Sequence, residues 1–145
     1  NQNRIGGISL SPYVDVVSDI DLNDEVTAYR IGDAPFIIDQ DTGRELRGNY
    51  GLFYRYKLRL NNKSADRKVV EYYFVPNGGV ARGVFLINDS LIETDLIGHN
   101  GGRAQNKIYQ KEIAPGDSYE IEIKTMPQPG SNYPVTLLMK AKVIK

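Results

Sequence analysis

The clearest pattern in the chain is a period-two alternation of side chains between Tyr50 and Leu60, with Phe53 the one large apolar residue at an odd position. Every even position in this segment carries Tyr or Leu, and the odd positions include Arg55, Lys57 and Arg59. Successive side chains of a strand point to opposite faces, whereas a helix would scatter these apolar residues around its circumference. The segment therefore predicts a strand with one face on a core and a basic row on the other face.

The same alternation recurs in two segments near the C-terminus. The inward positions are Tyr119, Ile121, Ile123 and Thr125 in the first segment, and Val135, Leu137, Met139, Ala141 and Val143 in the second. Residues 126–134 between them hold three prolines and a glycine. Because proline removes hydrogen-bond donors from a strand ladder, this stretch predicts a loop.

Shorter apolar and β-branched runs predict the remaining strands, and Gly, Pro and Asn residues separate them. These runs are residues 8–17, 25–31, 35–39, 68–75, 84–87, 91–97 and 107–113. The run 84–87 is continuously apolar, as in a strand that is central or covered on both sides. The polar stretch 61–67 has the length of a hairpin turn between its two flanking strands.

About eight to ten strands at roughly ten-residue spacing predict an all-β fold, a sandwich or a barrel. We expect a two-sheet antiparallel sandwich, because no convincing amphipathic helix interrupts the strands. A length of 145 residues predicts a single domain over residues 1–145. No period of 20–50 residues repeats, which argues against a solenoid or a propeller.

Charge is balanced overall but uneven along the chain. Lys and Arg number 18, as do Asp and Glu, which argues against a nucleic-acid or anionic-membrane partner. Residues 1–48 hold nine acids and four bases, and residues 49–145 hold nine acids and fourteen bases. We expect the acidic N-terminal strands to pack on the basic remainder; an acidic arm that binds a partner is the alternative. No apolar run has the length of a membrane helix.

The residue types that carry most catalysis are scarce. Cysteine is absent and His99 is the single histidine, lying in a Gly-rich stretch typical of a solvated loop. No nucleotide-binding or phosphate-binding motif occurs, and no cofactor is implied. We expect a chain without enzymatic activity; an enzyme that uses carboxylates or calcium is a competing hypothesis.

The best metal candidate is the loop that contains Asp39, Asp41 and Glu45. Alternate acids in a Gly-containing loop can converge on calcium, which prefers several oxygen ligands. The helix–loop–helix calcium pattern fails here, because Arg44 stands where Gly is needed and Tyr50 where Glu is needed. An ordinary turn, with the Asp side chain accepting backbone N–H bonds, is the alternative.

Tyrosine is unusually abundant, with ten Tyr and no Trp. Tyrosine stacks on sugar rings and forms hot spots at protein interfaces, so exposed tyrosines suit a glycan or protein partner. Most fall on apolar strand faces, but the side is ambiguous for Tyr29, Tyr73, Tyr109 and Tyr133. These four are the candidate ligand-binding residues, and core packing is the alternative for each.

The basic row Arg55, Lys57 and Arg59 has two interpretations. It could recognise an anionic ligand, or it could pair across strands with an acidic row such as Glu120 and Glu122. We expect the second, because outward charge also protects a sheet against aggregation.

Two short motifs resemble those of immunoglobulin-like sandwich modules in bacterial secreted and cell-surface proteins. Tyr54–Asn62 resembles a strand followed by an asparagine turn, and Ile113–Tyr119 resembles the Pro-Gly-acidic corner that feeds a core strand. The resemblance covers about residues 50–145, but the Cys pair and Trp of antibody-type domains are missing. It implies a non-catalytic binding or structural module of an exported or cell-surface bacterial protein. A carbohydrate-binding accessory domain is the alternative function, and the resemblance transfers no site residue.

Overall fold

The computed structural model describes residues 4–5, 8–9, 13–23, 26–32, 37–38, 45–46, 53–98, 105–128, 130–131 and 133–144. Within these ranges every regular element is a strand. The strands are β1 Arg4–Ile5, β2 Ile8–Ser9, β3 Tyr13–Asp21, β4 Thr27–Ile31, β5 Ile37–Ile38, β6 Glu45–Leu46, β7 Phe53–Asn61, β8 Lys68–Pro76, β9 Val80–Ala81, β10 Val84–Ile87, β11 Ser90–Glu93, β12 Ile97–Gly98, β13 Asn106–Ile113, β14 Ser118–Thr125 and β15 Val135–Val143. The expected all-β fold is confirmed.

Two principal sheets form the sandwich. Sheet I has the strand order β11-β10-β14-β7-β3, and sheet II has the order β13-β8-β15-β4. Aromatic contacts join them: the Phe74 and Phe85 rings lie edge to face at 5.9 Å, and the Tyr29 and Tyr56 rings lie 5.0 Å apart. Strands β1 and β2, β5 and β6, and β9 and β12 form three further two-stranded ladders.

The hydrophobic core consists largely of residues that the alternating pattern predicts to point inward. The inward residues Tyr54, Tyr56, Leu58 and Leu60 of β7 are all buried, as are Ile121, Ile123 and Thr125 of β14 and Val135, Leu137 and Met139 of β15. Tyr119 and Ala141 are half-buried, and Val143 is exposed at the end of β15. Burial of this apolar surface is the main favourable contribution to folding, at about 25 cal/mol per Å².

The polar stretch 61–67 is not a hairpin turn. It carries the chain from β7 in sheet I to β8 in sheet II, so the two strands it joins never pair. Most pairings are antiparallel as expected, but β3 lies parallel to β7 over its full length. The apolar run of β10 is indeed central in the ladder order, although Leu86 remains 38% exposed on the outer face.

The crossing between the sheets is fixed by the buried side chain of Asn62. Its amide nitrogen donates to the carbonyl oxygens of Asp66 at 2.8 Å, Ile113 at 2.9 Å and Ala114 at 3.2 Å. The backbone N–H of Gly116, which has a positive φ of 78°, donates to the Asn62 carbonyl at 2.8 Å. This Asn62 junction therefore ties residues 61–67 to the corner 113–117 and gives the buried carbonyl oxygen of Ile113 a hydrogen-bond donor.

The remaining strand boundaries shift by a few residues. The expected strand 8–17 is divided between β2 and β3, and 91–97 between β11 and β12. Asn88 and Asp89 link β10 to β11 with φ of 46° and 68°, the left-handed pair that a two-residue hairpin requires. No described segment is a helix long and apolar enough to cross a membrane.

Candidate functional site

The outer face of sheet I presents charged rows from three neighbouring strands. The parallel register of β3 with β7 sets Asp15 beside Arg55, and the antiparallel register of β14 sets Glu120 beside Arg59 and Glu122 beside Lys57. The expected pairing of the basic row is therefore met in register. Not every pair in register forms an ion pair, however. Arg59 lies 3.9 Å from Glu120, whereas no ion pair joins Lys57 to Glu122 in the described structure.

Arg55 pairs with the N-terminal acidic segment. Its guanidinium donates to both carboxylate oxygens of Asp15, at 2.7 and 3.1 Å. The hydrogen bond from Arg55 lowers the pKa of Asp15 below its ordinary value. Beyond the end of β7, Lys63 contacts Asp21 at 3.1 Å. Both contacts join acids of residues 1–48 to bases of the remainder.

A groove of about 610 Å³ runs across these strands. It is lined by Val17, Ser18 and Asp19 of β3, Lys57, Leu58 and Arg59 of β7, Glu120, Ile121 and Glu122 of β14, and Asn88 at the β10–β11 turn. Val17 is 77% exposed, and Lys57 makes no ion pair or hydrogen bond within the described part of the chain. The groove thus offers an apolar surface, an available ammonium group and carboxylates from two flanking strands.

The outer face of sheet II carries a buried carboxylate. Glu71 on β8 is only 6% exposed, and it accepts a hydrogen bond from the Tyr73 hydroxyl at 3.1 Å. The ammonium groups of Lys107 and Lys142 each lie 3.2 Å from its oxygens. Burial opposes ionisation of Glu71, but the hydrogen bonds from Lys107, Lys142 and Tyr73 outweigh it and lower the pKa of this carboxyl. Glu71 is therefore an anion at neutral pH.

A third ammonium group lies on the same face. Lys140 on β15 is the register partner of Glu71, and its nitrogen lies 4.7 Å from the centre of the Tyr73 ring. It also donates to the Gln105 side chain at 2.9 Å. Lys107, Lys140 and Lys142 are called the lysine cluster below.

The four candidate tyrosines do not share one surface. Tyr29 packs on Tyr56 between the sheets, and burial raises its pKa. Tyr109 shares a hydrogen bond of 2.7 Å with Tyr119, while burial and that bond raise its pKa. Tyr73 lies on the outer face of sheet II, and the Tyr133 hydroxyl donates to the Arg82 carbonyl oxygen at 3.0 Å. As ligand-binding residues the four stay a prediction.

Tyr72 is the neighbour of Tyr73 and points the opposite way. It is fully buried, and its hydroxyl has no hydrogen-bond partner among the described residues. Burial raises its pKa, which keeps the phenol neutral. The strand thus holds one unpaired phenol in the core and one paired phenol on the surface.

The calcium prediction falls mainly outside the described residues. Asp39, Asp41 and His99 are not among them, and of Glu45 the structure describes only the backbone, in β6. Across the described ranges no cluster of three acidic or histidine side chains could hold a metal ion. Calcium binding at Asp39, Asp41 and Glu45 therefore stays a prediction.

Sequence reasoning named Lys57 as part of the basic row, for which it favoured cross-strand pairing over ligand binding, and it missed the groove residue Val17 and the carboxylate of Glu71. A signal for Glu71 was present, because it is a lone acid within the apolar and aromatic run 68–75. A charge in such a run must find partners when it is buried. The groove had no comparable signal, since it depends on the pairing of β3 with β7.

No family model matches the sequence, and no curated protein does. Among solved structures, the pre-peptidase C-terminal domain of collagenase from Bacillus anthracis covers 89% of this chain and 97% of its own, with 11% identity and a TM-score of 0.38. A GH26-CBM35 β-(1,4)-mannanase from Podospora anserina covers 85% of this chain and 29% of its own, at 9% identity and 0.42. The CBM35 of Abf62 from Cellvibrio japonicus covers 82% and 99%, at 12% identity and 0.33. Such values carry no ligand or residue role over to this chain.

Proposed function

We propose that this chain is a non-enzymatic binding module of an exported or cell-surface bacterial protein, and that its ligand lies in the groove on the outer face of sheet I. The observation that carries the proposal is the groove itself. Its volume of about 610 Å³ falls within the range of about 300–1,000 Å³ typical of ligand sites.

The chemistry of the groove favours a polar ligand. Lys57 has N–H donors available, while Asp19 and Glu122 supply acceptors on the two flanking strands. Val17 gives the ligand an apolar surface beside Lys57, its register partner. Because β3, β7 and β14 are paired along their length, these groups are held on rigid elements, which limits the entropy lost on binding.

The Asn62 junction supports the module part of the proposal. It joins the two segments in which the sequence resembles immunoglobulin-like modules, the asparagine turn at 61–67 and the corner at 113–117. Modules of that kind serve attachment, spacing or ligand binding in exported proteins, so the same role is proposed here.

A carbohydrate-binding accessory domain is the second candidate function. The groove favours this function because it contains planar polar side chains. Such a side chain can form two hydrogen bonds at once with neighbouring sugar hydroxyl groups. These side chains are Asp19, Arg59, Glu120 and Glu122. In this form of the proposal the groove replaces the tyrosines as the sugar-contacting surface.

An oligosaccharide array followed by calorimetry tests both forms. We expect Lys57→Ala to weaken binding of any array ligand about tenfold, because it removes a charge-assisted hydrogen bond. Lys63→Ala is the matched control: it removes the same charge from a position just beyond the end of β7, outside the groove. Equal affinity of the Lys57→Ala variant and the wild type would refute the groove, and chemical conversion of the bound ligand would refute the non-enzymatic assignment.

A further inference from the structure

The lysine cluster on sheet II is a second charged surface, opposite to the groove. Lys107 comes from β13, and Lys140 and Lys142 come from β15, so the cluster spans both sides of β8. Glu71 is the carboxylate between them, and three ammonium groups outnumber it by two charges. Glu112, the next acid on this face, is itself paired with Arg67 at 3.8 Å.

Glu71 acts on the lysines as an internal anchor. A flexible lysine on a surface loses side-chain entropy when it binds an anion. Here Lys107 and Lys142 are already held at 3.2 Å from Glu71, and Lys140 is held by Gln105 and the Tyr73 ring. Part of the cost of ordering the three side chains is therefore met before any ligand arrives.

The anchored lysines still have hydrogen-bonding capacity. Each ammonium group has three N–H donors. Lys107 uses two of them, on Glu71 and on Gln110, while Lys140 uses one and Lys142 uses one within the described residues. The side chains of Lys107 and Lys142 are 44% and 64% exposed, so their remaining donors face solvent.

The spacing of the charges indicates the kind of anion. Lys140 and Lys142 are two residues apart on one strand, which places them about 7 Å apart along it, and β13 lies about 10 Å from β15 across β8. DNA carries a charge every ~1.7 Å of its axis, far denser than this array. Lys140 covers one face of the Tyr73 ring, so that face is not open for the base stacking on which single-strand binders depend. A polysaccharide with one charge on every sugar ring, or on every second ring, matches the spacing of the lysine cluster better.

We propose that the lysine cluster binds an anionic polysaccharide, through carboxylate or sulfate groups spaced along the polymer. The surface is independent of the groove, because the two lie on the outer faces of different sheets. A chain whose groove has no ligand can bind a polymer here.

Affinity electrophoresis in gels with polygalacturonate, and with uncharged dextran as the neutral reference, tests the proposal. We expect polygalacturonate to retard the wild type at low salt and dextran to leave it unaffected. Lys140→Ala/Lys142→Ala should lower the affinity about tenfold and flatten its salt dependence. Lys63→Ala/Arg82→Ala removes the same charge from positions outside both the lysine cluster and the groove, and it should change affinity less than about twofold. Circular dichroism of both variants verifies that they are folded.

Four results would overturn the proposal. The first is no retardation of the wild type, and the second is an equal loss in both double variants, as expected for net charge alone. A loss caused by Lys57→Ala and not by Lys140→Ala/Lys142→Ala would place the anion in the groove. Tighter binding of polyglutamate or of a thymidine oligonucleotide than of polygalacturonate would replace the polysaccharide with an acidic protein or a nucleic acid.

Discussion

The two outer faces of the sandwich use charge in different ways. On sheet I, acids and bases alternate between neighbouring strands, and each contact is a pair of exposed or partly exposed groups such as Arg59 and Glu120. On sheet II, two lysines and a tyrosine converge on the buried carboxylate of Glu71. An exposed pair contributes about 0–1 kcal/mol, whereas a buried charge that loses its partners is strongly unfavourable. Because Glu71 is charged and buried, we expect the stability of the protein to be more sensitive to loss of its contacts on sheet II than to loss of an ion pair on sheet I.

Among the substitutions that test this difference between the two faces, Glu71→Gln is expected to change the free energy of unfolding most. The substitution leaves Lys107 and Lys142 without their anion and should lower the free energy of unfolding by about 1–2 kcal/mol, less than for a fully buried pair because both lysines reach solvent. Glu120→Gln on sheet I is the control and should change it by less than about 0.5 kcal/mol. Urea unfolding followed by circular dichroism measures both. Equal effects would show that the faces do not differ.

The pH dependence of stability sharpens the same point. The folded-state pKa of Glu71 lies below its ordinary value of 4.5, so its contribution is complete above that pH and is lost as pH falls through the folded-state value. The difference in stability between the wild type and Glu71→Gln should therefore be constant from pH 7 to about pH 5 and narrow below about pH 4.5. A difference that stays constant down to pH 3 would mean that the carboxylate charge is not what stabilises the cluster.

Substitutions of the adjacent residues Tyr72 and Tyr73 should have smaller effects on stability, and the two effects should differ. Tyr73→Phe removes a hydrogen bond to Glu71 and should cost about 1 kcal/mol. Tyr72→Phe removes a buried hydroxyl without a described partner, so it should leave stability unchanged or raise it by up to about 1 kcal/mol. Thermal unfolding of the two variants distinguishes them. A marked loss for Tyr72→Phe would reveal a partner for that hydroxyl.

The smallest effect is expected on sheet I, from Asp15→Asn. The exposed Asp15–Arg55 pair is screened by salt, so the loss of stability should be smaller than for Tyr73→Phe and should vanish in about 1 M NaCl. Unfolding curves at low and high salt measure it. If the loss of stability persisted in high salt, the Asp15–Arg55 pair would not be a screened surface pair and would resemble the buried contacts of Glu71.

Sequence patterns predicted the core of this fold but not its connections. Alternation identified Tyr54, Leu58 and Ile121 as interior residues, because side-chain direction along a strand is a local property. Whether residues 61–67 form a hairpin or cross between sheets depends on partners at Ile113 and Ala114, about fifty positions away in sequence. No local pattern contains that information.

The groove and the lysine cluster escaped prediction for a similar reason. Lys107 reaches Glu71 from a strand 36 positions away, and a register shift between Lys107 and Tyr109 changes which side of β13 each residue occupies. The shift also explains why the side of Tyr109 could not be assigned from alternation. Groove formation at Val17 required the parallel pairing of β3, which no sequence signal specified.

The Asn62 junction has a consequence for the order in which the chain folds. Its acceptor carbonyls belong to residues 113 and 114, and β4 finds its ladder partner only in β15. During synthesis on the ribosome, the first half of the chain must therefore wait, with open strand edges, until nearly all of the remainder has emerged. Contacts of such long sequence separation are expected to give folding times of milliseconds to seconds, and the open strand edges are prone to aggregation during that time.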